Sequence, residues 1–178
     1  MQHDRILVPV DFSDCSRMLV SQAALFARRL GADITLLHVV APPDGLTPDT
    51  PFVPDGDDEA TTVGQALVDA AWRRMPAYEA IVEEVGVPVE PVVDLGVVAD
   101  RILEHQDGHG MIIMGTHGRR GLARMLMGSV AEQVTRRASL PVMTVRTEHR
   151  PDCEARSCAW CASHLMPQDI QARHELDG

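Results

Sequence analysis

Short apolar runs and helical faces alternate along this chain. Ile6-Leu7-Val8-Pro9-Val10 carries no charge and reads as a strand buried on both faces. Asp11-Phe12-Ser13-Asp14 ends the run, and Ser13 suits a helix cap. Leu19, Ala23, Phe26, Ala27 and Leu30 then fall on one helical face, with Gly31 as the stop. Ile34 to Val40 is a second strand, β-branched and apolar. Residues 41–60 break the pattern: prolines alternate with Asp and Gly, and no basic residue occurs, which predicts a mobile surface loop. A helical stretch follows from about Glu59 to Val85, with Pro76 as a kink or break. Val87–Val93 is a third strand, Val97–Gln106 a short helix and Met111–Met114 a fourth strand. Ser129–Ala138 is a helix and Leu140–Val145 a fifth strand.

Strand and helix in strict turn specify an α/β fold, here a five-stranded, mostly parallel sheet with helices on both faces. Ligands of such sheets bind beyond the carboxyl ends of the strands, near the switch in strand order. Three strand tips are candidates: Pro9-Val10-Asp11, Val39-Val40 and Met114-Gly115.

Composition narrows the field. Aromatics make up only 3% of the 178 residues, so the core is aliphatic. The net charge of −10 repels phosphate backbones and argues against nucleic acid as a partner. One small anion can still bind where local dipoles outweigh net charge. The start is not a signal peptide, and no apolar run reaches the roughly 20 residues of a membrane span, so a cytoplasmic location without membrane contact is expected. Thiols there stay reduced, and the four cysteines read as ligands or free thiols.

The densest chemistry lies between Met114 and Val130. Gly115 and Gly118 let backbone approach a ligand, and Gly128-Ser129 opens a helix whose amides and dipole favour an anion. His117 sits between the first two glycines, and Arg119, Arg120 and Arg124 follow in a chain short of positive charge. The spacing is G-x2-G-x9-G-S, neither a Walker A loop nor G-x-G-x-x-G. A strand-to-helix turn with solvated arginines is the plain alternative. Cys15, in a first helical turn, is either a small filler or a thiol activated by the helix dipole. The methionines read as core.

This segment resembles the nucleotide signature of the universal stress protein family. The opening Ile-Leu-Val-Pro-Val-Asp-Phe-Ser, the Leu-Leu-His-Val strand, and Gly128-Ser129-Val130-Ala131-Glu132 through Leu140-Pro141-Val142 are similar to it as well. The resemblance covers about residues 1–146 and implies a nucleotide-binding domain of the ATP-binding branch. It implies that Asp11 and the Pro9-Val10 backbone border the adenosine end, and that the Val39 backbone contacts adenine. By the same resemblance, Gly115, His117, Gly118, Gly128, Ser129 and Val130 surround ribose and phosphates. Met114 at the strand tip and Arg119 in the loop are candidates by position, Arg119 as a phosphate contact or a surface charge. ATP, alone or with magnesium, is the implied ligand. Pro141 to Arg146 is the implied seam of a homodimer.

Residues 147–178 fall outside the resemblance, and a piece this short rarely holds its own core. Cys153, Cys158, Cys161 and His164 form C-x4-C-x2-C-x2-H, a complete tetrahedral set for zinc. The cysteine spacing also resembles a plant-type iron–sulfur pattern, whose fourth ligand would have to be Cys15. A tail of free thiols is the third reading. The chain is thus expected to be a dimeric, ATP-binding stress-response regulator with an unidentified protein partner. A slow ATPase or phosphotransfer enzyme, and a metal or redox sensor acting through the tail, are the alternatives.

Overall fold

Five uncharged residues in a row cannot face water on either side, and the run at the start of the chain becomes the central strand of a sheet. The computed structural model describes residues 5–13, 16–53, 60–116 and 128–146. β1 (Arg5–Pro9) pairs in parallel with β2 (Asp33–Val40) on one side and with β6 (Met111–Gly115) on the other. β2 pairs in parallel with β5 (Val89–Leu95), and β6 with β7 (Val142–Val145). The order is β5-β2-β1-β6-β7, the five-stranded parallel sheet that the alternating pattern predicts.

Helices cover both faces. α1 (Ser16–Leu30), α2 (Val63–Arg74) and α3 (Pro76–Glu84) pack on one side, where Ile6, Val8, Ile34 and Leu36 meet Ala23 and Val82. α4 (Val98–Glu104) and α5 (Ser129–Arg137) pack on the other, where Leu7, Leu37 and Ile112 meet Ile102 and Val134. Because strand side chains alternate, β2 sends its even-numbered residues to the first layer and its odd-numbered ones to the second. Among the described residues, no helix is long and apolar enough to cross a membrane.

Punctuation residues act as their chemistry requires. Gly31 ends α1 at φ +67°, and Ala32 donates to the Ala27 carbonyl at 3.0 Å. Pro76 opens α3 as its first residue and so separates two helices at buried Met75. Pro91 lies inside β5, an edge strand. Pro88 and Gly96 bond toward β2, so the even positions face the ladder and Pro91 turns its missing donor outward.

The Pro- and Asp-rich stretch that reads as a mobile loop carries structure in its described part. β3 (Pro51–Phe52) pairs antiparallel with β4 (Thr61–Thr62), a small sheet that periodicity does not reveal. The Gly64 and Val63 amides donate to the Pro48 and Thr50 carbonyls at 2.9 Å each. Gly64 permits this approach: a side chain there would stand 3.1 Å from Pro48. Across the sheet, Asp94 of β5 meets His105 at 2.9 Å. Burial would raise the Asp94 pKa, but His105, the Leu95 amide and nearby Arg101 outweigh it and hold the carboxyl below its usual range.

At the amino ends of the strands, His109 Nε2 lies 2.9 Å from Thr35 Oγ1. Burial lowers the His109 pKa, and Arg5 pushes the same way, while the carbonyls of Asp107, Gln106 and His105 oppose it in part. The unfolded chain therefore takes up this proton at a higher pH than the folded one. The imidazole favours the fold fully above its ordinary value of 6.5, and that stability is lost as pH falls below it. Urea unfolding at about pH 7.5 and about pH 5.5 is expected to show a smaller acid loss in His109→Gln than in the parent. Equal losses would count against the half-buried neutral imidazole.

Candidate functional site

In this sheet the chain moves outward from β1 through β2 to β5, then returns to place β6 and β7 on the other side. The reversal lies between β1 and β6, and a crevice opens beyond their carboxyl ends. Its rim comprises Pro9, Val10 and Asp11 after β1, Met114, Gly115 and Thr116 at β6, and the last residues of β2.

The turn after β1 is held from several directions. Asp11 Oδ1 accepts from the Ser13 amide at 3.0 Å and from Ser16 Oγ at 2.7 Å. His38 Nδ1 lies 2.7 Å from the Val10 carbonyl, which can only accept, so that nitrogen carries the proton. Phe12 adopts φ +57°, a left-handed conformation rare for a bulky residue. Its buried ring stacks on His38 at 3.9 Å between centroids and lies 5.1 Å from Tyr78. Arg74, at the end of α2, donates from Nη2 to the Phe12 carbonyl at 2.8 Å, with its guanidinium carbon 4.8 Å from the ring centre.

β2 outruns β1. The β1 ladder stops with Val10 donating to the Leu37 carbonyl at 2.8 Å, while β2 continues through Val40. Successive strand residues point their polar groups to opposite sides. Leu37 faces β1, and Val40 accepts from Gly96 on the β5 side, so Val39 aims its N–H and C=O toward the space above Val10. No hydrogen bond fills that direction among the described residues. The partner a longer ladder would give the Val39 amide is the Val10 carbonyl, and His38 holds it.

Opposite, the Thr116 amide donates to Val145 at 2.9 Å and extends the β6–β7 ladder by one bond. Gly128 donates to the Thr116 carbonyl at 2.6 Å, which joins the start of α5 to the tip of β6. This assigns the Gly128 amide a structural duty that its spacing alone does not announce. The Ser129 and Val130 amides follow at the first turn of α5, where the helix dipole is positive. Ser129 is exposed, and Val130 packs partly into the α4–α5 layer.

The structure thus brings Pro9, Val10, Asp11, Val39, Met114, Gly115, Gly128, Ser129 and Val130 to the carboxyl-end rim. The side chains of Val10, Val39 and Met114 are buried in the two cores, so these three offer the crevice backbone. His117, Gly118 and Arg119 lie outside the described residues, as do Cys15 and the tail set Cys153, Cys158, Cys161 and His164. Among the described residues, no group of three or more His, Cys, Asp or Glu could hold a metal ion. Sequence reasoning missed Phe12, His38 and Arg74 as supports beneath the rim. A histidine within an otherwise apolar strand is the one signal that could have marked them.

Known proteins share this architecture. The model of the universal stress protein family matches residues 2–146. Universal stress protein MJ0531 of Methanocaldococcus jannaschii is 30% identical over 146 residues, covering 81% of this chain and 82% of its own. The solved structure of MJ0577 from the same organism superposes with a TM-score of 0.67 at 24% identity, covering 84% of this chain and all of the other. A universal stress protein from Archaeoglobus fulgidus, solved in complex with dAMP, gives 0.59 at 23% identity, covering 82% of this chain and all of the other. At these identities the two structures speak for the fold.

Removing the Asp11 carboxylate deprives the Ser13 amide and the Ser16 hydroxyl of their acceptor. Asp11→Ala is expected to lower the unfolding free energy by about 1–3 kcal/mol, read from the urea midpoint at unchanged slope. An unchanged midpoint would mean that the turn does not depend on this group.

Proposed function

Because the chain belongs to the universal stress protein family, we propose that its crevice binds an adenine nucleotide, ATP, and that the protein is a nucleotide-responsive regulator. The observation that carries this reading is the Val39 backbone at the tip of β2, beside the switch point and unbonded on its β1 side among the described residues. One donor and one acceptor stand side by side there, which suits the edge of a purine base. Asp11 lies at the adjoining tip, and the first turn of α5 supplies amides for phosphate on the far side. The fold is shared with a relative solved with dAMP. A triphosphate in place of a monophosphate is favoured by Arg119, Arg120 and Arg124 in the segment joined at Thr116 and Gly128.

The described rim offers a single carboxylate, Asp11, so magnesium would arrive on the phosphates of the nucleotide itself. Nucleotide occupancy would act by differential affinity for two states of the rim, which a protein partner reads. For the tail, Cys153, Cys158, Cys161 and His164 are proposed to hold zinc.

β7 lies at one edge of the sheet, and we assign it to homodimer formation. Pro141 and Val145 accept bonds from β6, so Val142 and Thr144 turn their backbone groups outward. β7 contains no charge and no proline that would blunt this edge.

Chromatography of denatured protein is expected to release about one ATP per chain, with about one zinc in the same sample. A protein that arrives empty and rejects added ATP would overturn the nucleotide reading. Ser129→Pro tests the phosphate side, since proline suits a first helical position and Gly128 already has the extended geometry that must precede it. ATP affinity should fall about tenfold with the thermal midpoint kept. Thr144→Pro removes an outward N–H and no ladder bond, and sedimentation is expected to show a monomer where the parent is a dimer.

A further inference from the structure

The left-handed Phe12 is the one described non-glycine residue with positive φ. Such a conformation costs about 1–3 kcal/mol, persists only where neighbours over-determine it, and points to function when it borders a site. Three neighbours hold it here. The ring is buried against His38 and Tyr78, in a chain where aromatics are only 3% of residues. The carbonyl is gripped by Arg74, whose guanidinium also lies against the ring. His38, positioned by that stack, donates to the Val10 carbonyl.

The consequence falls on Val39. A parallel ladder extended by one rung would join the Val39 amide to the Val10 carbonyl. Instead the imidazole donates to that carbonyl at 2.7 Å, and the rung to Val39 is not made. We propose that the Arg74–Phe12–His38 stack is a positioning device for the base: it withholds the Val10 carbonyl from β2 and so keeps the Val39 N–H and C=O open to adenine. This rests on the nucleotide reading above and adds its regulation. Adenine presents an acceptor nitrogen beside a donor amine and so matches an open N–H beside an open C=O. Guanine presents the reverse order at the same edge. The device therefore sets base preference as well as affinity. Arg74 belongs to α2, whose first turn is bonded to the 48–50 segment. A partner that displaces α2 would reach the base through this stack.

Two variants and an exchange measurement test it. His38→Phe keeps a ring for Phe12 to stack on but frees the Val10 carbonyl. Arg74→Met acts from the surface and covers the case in which a buried substitution fails to fold. In the nucleotide-free parent, the Val39 amide is expected to exchange about a hundredfold faster than the laddered Leu37 amide, and to slow when AMP is added. In His38→Phe, Val39 exchange should slow without nucleotide, as the rung closes. AMP and ATP should both weaken by about tenfold in either variant, with the preference over GTP reduced and Arg74→Met still unfolding in one cooperative transition, its thermal midpoint lower by about 2–4 °C.

A parent in which Val39 exchanges as slowly as Leu37 would overturn the proposal. So would variants that bind ATP as tightly as the parent. A loss confined to ATP, with AMP unchanged, would make these residues phosphate contacts and overturn it as well. If the parent binds no nucleotide at all, the functional reading fails and takes this device with it. The exchange contrast in free protein then still reports separately whether the rung is open.

Discussion

A parallel ladder that stops before one of its strands does leaves a polar edge bare, and the proposed site depends on that mismatch. β1 runs out level with Leu37, and β2 goes on to Val40. The uncovered N–H and C=O of Val39 would ordinarily be a cost, since buried backbone groups demand partners. In the proposed site the shortfall would supply recognition chemistry from main chain alone. The next acceptor along β1, the Val10 carbonyl, accepts from His38 instead.

The two cores serve this edge unequally. The α4–α5 layer is aliphatic and takes the side chains of Val39 and Met114, which fixes the positions of their backbones. The α1–α3 layer holds Phe12 and Tyr78 beneath the rim and adds a cation from α2. One layer therefore anchors the strand tips, and the other shapes the turn between them. The helix following Gly128 is tied to the sheet by a short chain of bonds: Gly128 to Thr116, and Thr116 to β7.

Periodicity made the sheet legible, because each strand is apolar and each helix faces the core at regular spacing. Strand tips followed from that order, and with them Asp11, Val39 and Gly115. Other features depend on contacts between distant residues and leave no local trace. Arg74 and Phe12 are 62 positions apart and look like a surface charge and a core ring. The pairing of Pro51 with Thr62 involves two residues per strand, too few for any period to register. Gly128 reads as an anion donor by spacing, yet its amide is engaged with Thr116, which only the fold brings near.

The two margins of the sheet differ in a way that bears on assembly. One margin, β5, carries Pro91 with its ring turned outward, and a neighbouring strand would find a missing donor there. The other, β7, offers an uninterrupted row. A molecule with two adhesive margins can add copies without end and grow into a filament. A molecule with one can join a second copy only through the same margin, and a twofold axis closes the addition at once. Proline at a single edge position would thus act as a terminator, setting the stoichiometry of a sheet-to-sheet assembly from the side opposite the contact.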